Sequence, residues 1–149
     1  MMTIKERLQA DWKEALKSKD KPKASVLSMA KSAILYAEKE ARADLTEETI
    51  IEILAREVKM RRDAVIEFEK GNRSDLVDQG NFEIETLLSY LPKQLKEEEI
   101  IELVENTAKE IGANNMKDMG KLMAALRPLI TGKADNKLVS SLVKDYLTR

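Results

Sequence analysis

Only eight residues of this chain, five glycines and three prolines, are of the kinds that break a helix. They stand mostly far apart, and between them apolar residues recur at three- and four-residue spacings almost everywhere. A sheet needs turn chemistry and period-two alternation, and neither is present in quantity. The chain is therefore expected to be all-α.

The helices can be placed from their caps. Thr3, with Glu6 three residues on, forms a capping box for a first helix whose stripe is Ile4, Leu8, Trp12, Ala15 and Leu16. That helix stops in the charge run from Lys17 to Lys21. Pro22 suits the first turn of a second helix, which carries Val26, Leu27, Ala30, Ile34 and Ala37 to about Ala43. Thr46 caps a third, from Glu47 to about Lys70, with Gly71 as its left-handed stop. A fourth begins after Arg73-Ser74-Asp75 and reaches Leu91, where Pro92 forces an end.

We place a domain boundary here, so that residues 1–92 form an N-terminal domain of about four helices and residues 93–149 a C-terminal domain of three. In the second domain a helix runs from Glu97 to Ile111, stopped by Gly112. The next runs from about Met116 to Leu126 and is ended by Pro128. The last, from Lys137 to Leu147, follows the N-cap Asp135.

Cysteine and histidine are both absent, which removes disulfides, thiolate nucleophiles, the usual neutral-pH base and the commonest zinc ligands. No catalytic residue, metal ligand or cofactor site is expected. The N-terminus lacks the apolar core of a signal peptide and the longest apolar runs are short, so a soluble cytoplasmic protein without a membrane anchor is the expectation.

With 26 basic and 27 acidic residues, the whole-molecule charge of −1 steers nothing. Its distribution is uneven. Residues 1–92 carry a net −2 and residues 93–112 a net −3, whereas residues 113–149 hold seven basic and three acidic side chains, a net +4. Two glycine–lysine steps fall in this basic stretch, Gly120-Lys121 and Gly132-Lys133, with Lys137 just beyond.

The first step is not a P-loop, because the position five residues before Gly120 is Asn115 and the residue after the lysine is Leu122. Gly120 either lets a helix pass close to a neighbouring backbone or serves an anion. The second step enters a capped helix, where free amides and flanking lysines suit a phosphate oxygen. The plainer reading is an ordinary turn in which Asp135 occupies the same amides.

Other charged groups read as structural. Arg56, Lys59, Arg61 and Arg62 alternate with Glu57, Asp63 and Glu67 at ion-pairing spacings. Arg73 and Asp75 make a helix-start pair, and Glu83 and Glu85 a solvated or ion-paired face. The run Glu97-Glu98-Glu99 cannot converge on a metal, since successive helical residues point about 100° apart; it favours the positive end of a helix dipole.

With these residues in view, the chain resembles the GatB/YqeY family, close to its stand-alone YqeY type. The likeness spans nearly the whole length and rests on Tyr90-Leu91-Pro92-Lys93-Gln94-Leu95, Glu97-Glu98-Glu99-Ile100, Asp118-Met119-Gly120-Lys121 and Gly132-Lys133-Ala134-Asp135. Arg56-Glu57-Val58-Lys59-Met60-Arg61-Arg62-Asp63 and Arg73-Ser74-Asp75-Leu76 carry it in the N-terminal half. The chain departs from the family pattern at Ser28, Lys96, Ala125, Arg127 and Asn136.

The resemblance implies an N-terminal helical domain and a three-helix C-terminal domain similar to the tail of GatB, a subunit of the glutamine-dependent tRNA amidotransferase. That tail contacts tRNA, while amide transfer occurs on domains this chain lacks. A carbon–nitrogen ligase activity with glutamine as amido-N-donor is thus implied to belong to the larger subunit. The first expectation is a non-catalytic tRNA-binding accessory protein, with Lys121, Lys133 and Lys137 contacting phosphates and Gly120 and Gly132 permitting close approach. Few aromatic residues, 4%, favour recognition of RNA shape over base stacking. The second is an adaptor for an amidotransferase or aminoacyl-tRNA synthetase, docking through Met116, Met119 and Met123. An enzyme acting alone comes third.

Overall fold

A computed structural model describes residues 1–149, and every regular element in it is helical. The α-helices are α1 (Ile4–Lys17), α2 (Lys21–Ala41), α3 (Glu47–Lys70), α4 (Ser74–Leu88), α5 (Glu97–Ile111), α6 (Met119–Ile130) and α7 (Asn136–Leu147), with a 3₁₀ turn at Met116–Asp118 before α6. The chain is thus all-α, as its spacing of apolar residues requires. It gathers into two compact units, Met1–Pro92 and Lys93–Arg149.

The first unit holds α1 to α4. Its core is built from Leu8 on α1, Val26, Leu27, Ala30 and Ile34 on α2, Ile50, Leu54 and Val58 on α3, and Leu87 on α4. Thr3 caps α1 by accepting the Glu6 amide at 3.1 Å, and Thr46 caps α3 by accepting the Thr49 amide at 3.2 Å. Each cap satisfies a helix-start donor that would otherwise lack a partner.

Two features of this unit were not foreseen. Gly71 has φ −86°, and the left-handed residue is its neighbour Asn72 at φ 57°. Asn tolerates that region because its short side chain can bond locally, so the glycine next to it is released from the task. Gly80 lies buried inside α4, where an added Cβ would fall 2.5 Å from Cγ2 of Val65 on α3. The absent side chain is what lets α3 and α4 pack this closely.

Arg61 crosses the same interface. It is 9% exposed, and it donates to Glu57 at 3.1 Å and to Glu83 on α4 at 2.9 Å. The mixed-charge helix is therefore partly a buried network. Tyr90 is likewise fixed, donating its hydroxyl to Asp11 with the Arg7 guanidinium 4.9 Å from its ring centre.

The second unit packs α5, α6 and α7 around Ile100, Val104, Leu122, Leu126, Val139 and Val143. Gly112 ends α5 at φ 73°, the left-handed geometry that glycine accepts at least cost. Lys96 stands at the start of α5 without an acceptor, and the Glu99 carboxylate compensates by accepting the Lys96 amide at 2.9 Å. Pro128 does not terminate α6, which continues to Ile130. The carbonyl that its missing N–H would have served is on Ala124, which is exposed, so water can satisfy it there.

Candidate nucleic-acid interface

The region between α5 and α6 is held by short-range capping. Asn115 accepts the Lys117 amide at 2.9 Å, and the Asp118 carboxylate turns back to accept the Asn114 amide at 3.0 Å. Gly120 follows in the first turn of α6. It is exposed, and a Cβ built on it would meet nothing within 4 Å. No neighbouring helix backbone requires this glycine. The open space above it is available from solvent, and Lys121 beside it is also exposed.

The second glycine–lysine step is built differently. Gly132 is buried and left-handed, with φ 73°. Its carbonyl accepts Nε2 of Gln94 at 2.7 Å, and the Lys133 carbonyl accepts the Leu95 amide at 2.8 Å. The loop amides turn inward as well: those of Lys133 and Ala134 both donate to the Ile130 carbonyl, at 2.8 and 3.1 Å. Asp135 caps α7 by accepting the Lys137 amide at 3.2 Å. The amides of Lys133, Ala134 and Lys137 are thus engaged within the protein, and what this loop offers an anion is ammonium charge.

Lys133 is half-buried and Lys137 exposed. Lys121 lies nine residues before the end of α6, and at 1.5 Å per residue this puts it roughly 14 Å along the axis from the Gly132 loop. The two glycine–lysine steps therefore sit at opposite ends of one helix. They can meet separate phosphates of an extended backbone, but they cannot grip one phosphate together. Lys117, Lys121, Arg127 and Lys133 enter no ion pair, whereas Arg149 is committed to Glu105 at 3.0 Å and stacks on Tyr146.

The methionines are divided between two roles. Met119 and Met123 pack against the core of the unit, and Met116 is 40% exposed. The apolar face imagined for a protein partner is reduced accordingly. No group of three or more carboxylates is arranged to hold a metal ion. No helix is long and apolar enough to cross a membrane. In the first unit, a groove of about 720 Å³ opens between α1 and α2, lined by Leu8, Ile34 and Leu35 and by Lys5, Lys13 and Lys31.

These features define an all-helical protein of two compact units, the second with unpaired lysines spread along α6 and its following loop. The chain belongs to the Yqey-like protein family, whose profile matches residues 5–147. It is 28% identical over 144 residues to altered inheritance of mitochondria protein 41, mitochondrial, of Pyrenophora tritici-repentis, covering 95% of this chain and 79% of that one. A protein of the same name from Lachancea thermotolerans is 32% identical over 111 residues, covering 72% of this chain and 59% of that one. An uncharacterised protein of Schizosaccharomyces pombe is 32% identical over 80 residues, covering 54% of this chain and 65% of that one.

Proposed function

We propose that this chain is a non-catalytic accessory protein that binds folded tRNA through its C-terminal unit. The observation that carries the reading is the basic surface of the C-terminal unit on which Lys117, Lys121, Arg127 and Lys133 enter no ion pair. Lysines act on phosphate as point charges, so the contacts position a backbone and carry no base sequence. The open space at Gly120 lets that backbone come close to the start of α6. Separation of the two glycine–lysine steps along α6 suits a ligand with phosphates on an extended surface, as a folded RNA has.

The likeness of the C-terminal domain to the tail of a tRNA amidotransferase subunit supports tRNA over other polyanions. Docking onto an amidotransferase or an aminoacyl-tRNA synthetase is the second reading, favoured by exposed Met116, Leu129 and Leu138 on the same unit. A cytoplasmic location is retained as part of the proposal. Two of the relatives are named as mitochondrial, and the same RNA chemistry would serve in either compartment.

The test is binding of total folded tRNA at low and moderate salt, with duplex DNA as control and the variant Lys121→Glu, Lys133→Glu, Lys137→Glu alongside. Salt-sensitive binding that exceeds DNA binding and is lost in the folded variant is the expected result. Equal affinity for DNA, or retention of binding by the variant, refutes it.

A further inference from the structure

The N-terminal unit carries a charged surface that its net −2 conceals. Residues 12–31, which form the end of α1, the connecting turn and the first half of α2, contain Lys13, Lys17, Lys19, Lys21, Lys23 and Lys31 against two carboxylates, Glu14 and Asp20. This is a net +4, as large as that of residues 113–149 in about half the length. The rest of residues 1–92 then carries −6. The unit is electrically polarised, with a basic hairpin tip on an acidic body.

Pairing follows the same division. Of the ten other basic residues in the unit, Lys5, Lys59, Arg61, Lys70 and Arg73 form ion pairs. None of the six hairpin lysines does. Lys13 and Lys17 are four residues apart on α1, where like charges cost about 0.2–0.5 kcal/mol. Lys31 adds to the repulsion from α2: burial and the neighbouring Lys13 charge hold its ammonium below the usual lysine range, and it rests 3.6 Å over the Trp12 ring.

Lys21 and Lys23 occupy the first turn of α2, which has no acidic residue and where the helix dipole disfavours cations. By contrast, α3 and α5 open with Glu47-Glu48 and Glu97-Glu98-Glu99. The Asp20 carboxylate already accepts the Lys23 amide at 3.2 Å, so the lysine heads are the groups left for a ligand.

We infer that this α1–α2 hairpin tip is a second phosphate-backbone contact surface, by which the N-terminal unit binds RNA independently of the C-terminal lysines. The inference rests on the RNA reading above. Folding alone gives no reason to gather uncompensated like charges at one end of the unit, whereas a polyanion removes their repulsion on binding. The composition selects the kind of contact: six lysines and no arginine supply point charges without the bidentate geometry that reads bases. A membrane surface is the poorer match. Residues 17–23 contain no large apolar side chain to insert, and within residues 12–31 only Leu16 and Met29 are exposed large apolar side chains, one on each helix, while Val26, Leu27 and Ala30 are spent on the core.

The experiment measures tRNA affinity across a salt series for the full chain and three variants. The tip variant is Lys13→Gln, Lys17→Gln, Lys21→Gln, Lys23→Gln. The matched control removes the same charge elsewhere in the unit: Lys39→Gln, Arg56→Gln, Arg62→Gln, Lys70→Gln. The third variant carries the C-terminal charge reversals. Circular dichroism and thermal melts establish that each is folded.

If the tip holds RNA, its variant loses affinity by about tenfold or more, and the log–log salt slope falls by about 2–3 units, while the control stays close to the wild type. A tip variant that matches the control overturns the inference and leaves the C-terminal RNA reading intact if the third variant has lost binding. Absence of RNA binding by the wild type overturns both. Vesicles rich in anionic lipid form the last arm, and tighter tip-dependent binding to them than to tRNA also overturns the inference.

Discussion

Gly80 offers a sharp mechanical test of this fold. A methyl added there would sit 2.5 Å from Cγ2 of Val65, far inside contact distance, and Val65 is 7% exposed. Val65 cannot turn aside cheaply, because a β-branched residue in a helix has one strongly preferred rotamer. Gly80→Ala should gain about 1 kcal/mol of helix propensity. It should lose about 2–3 kcal/mol from overpacking, giving a net destabilisation of roughly 1–2 kcal/mol. For a unit of this size each kcal/mol moves the midpoint by about 4–8 °C.

Trp12 is the sole tryptophan and packs against the core of the first unit, so its fluorescence during thermal or urea unfolding reports that unit. The companion variant is Val65→Ala, which removes the clashing methyl and leaves Cβ of residue 65 at an ordinary 3.9 Å from the new Cβ. Alone it should cost about 1–3 kcal/mol for lost burial and the space left behind. The double variant should be more stable than the sum of the single changes by about 1 kcal/mol or more. Additivity within about 0.5 kcal/mol, or a higher midpoint for Gly80→Ala alone, would refute the close-packing argument.

Other consequences can be measured in the same way. Arg61→Met strands Glu57 and Glu83 at the α3–α4 interface and should cost about 3–5 kcal/mol in the fluorescence-detected unfolding; a loss below about 1 kcal/mol would mean the network is solvated. Burial, and then the hydrogen bond to Asp11, raise the Tyr90 hydroxyl well above the ordinary tyrosine range, with Arg7 opposing. Its folded-state pKa is the higher one, so this contribution is fully present below about pH 10 and is lost as the pH rises beyond it. The slope of stability against alkaline pH should accordingly flatten in Tyr90→Phe, and an unchanged slope would exclude Tyr90 as its source. Gly112→Ala places a Cβ at φ 73° with nothing to clash against, so it should cost only the backbone strain, about 1–2 kcal/mol, in a urea melt followed by circular dichroism.

Much of the architecture was legible because helix ends are written in local chemistry. Thr3 with Glu6, Thr46, Gly112 and Asp135 each act at their expected places, since a cap needs only its own few residues. The misplacements at Gly71 and Pro128 have a common cause: a local rule states what a residue permits, and the surroundings choose whether the permission is used. Gly80 and Gly120 both lie inside helices, and only the first is pressed by a neighbour; its partner Val65 lies on another helix and could only be found in three dimensions.

The candidate site was legible as a set of residue types and poorly legible as a geometry. Neighbouring motifs in sequence, Lys121 and Lys133, are separated by the length of α6. The amides expected to be free at the Gly132 loop are in large part turned toward Ile130 and Asp135. The hairpin lysines were hidden by averaging charge over residues 1–92, where the acidic body outweighs them; a window of about 20 residues reveals them without any structure.

The hydrogen bonds that Gly132 and Lys133 accept from Gln94 and Leu95 also say where the C-terminal unit can be cut. A fragment starting at Glu97 would retain all three helices, yet it would leave the carbonyls of residues 132 and 133 without those donors and remove Leu95 from its packing place. The four residues before α5 thus act as a latch on the turn entering α7. An expression fragment that begins at Lys93 keeps the latch, and the four-residue difference should separate a well-behaved domain from one whose lysine-bearing turn has come loose.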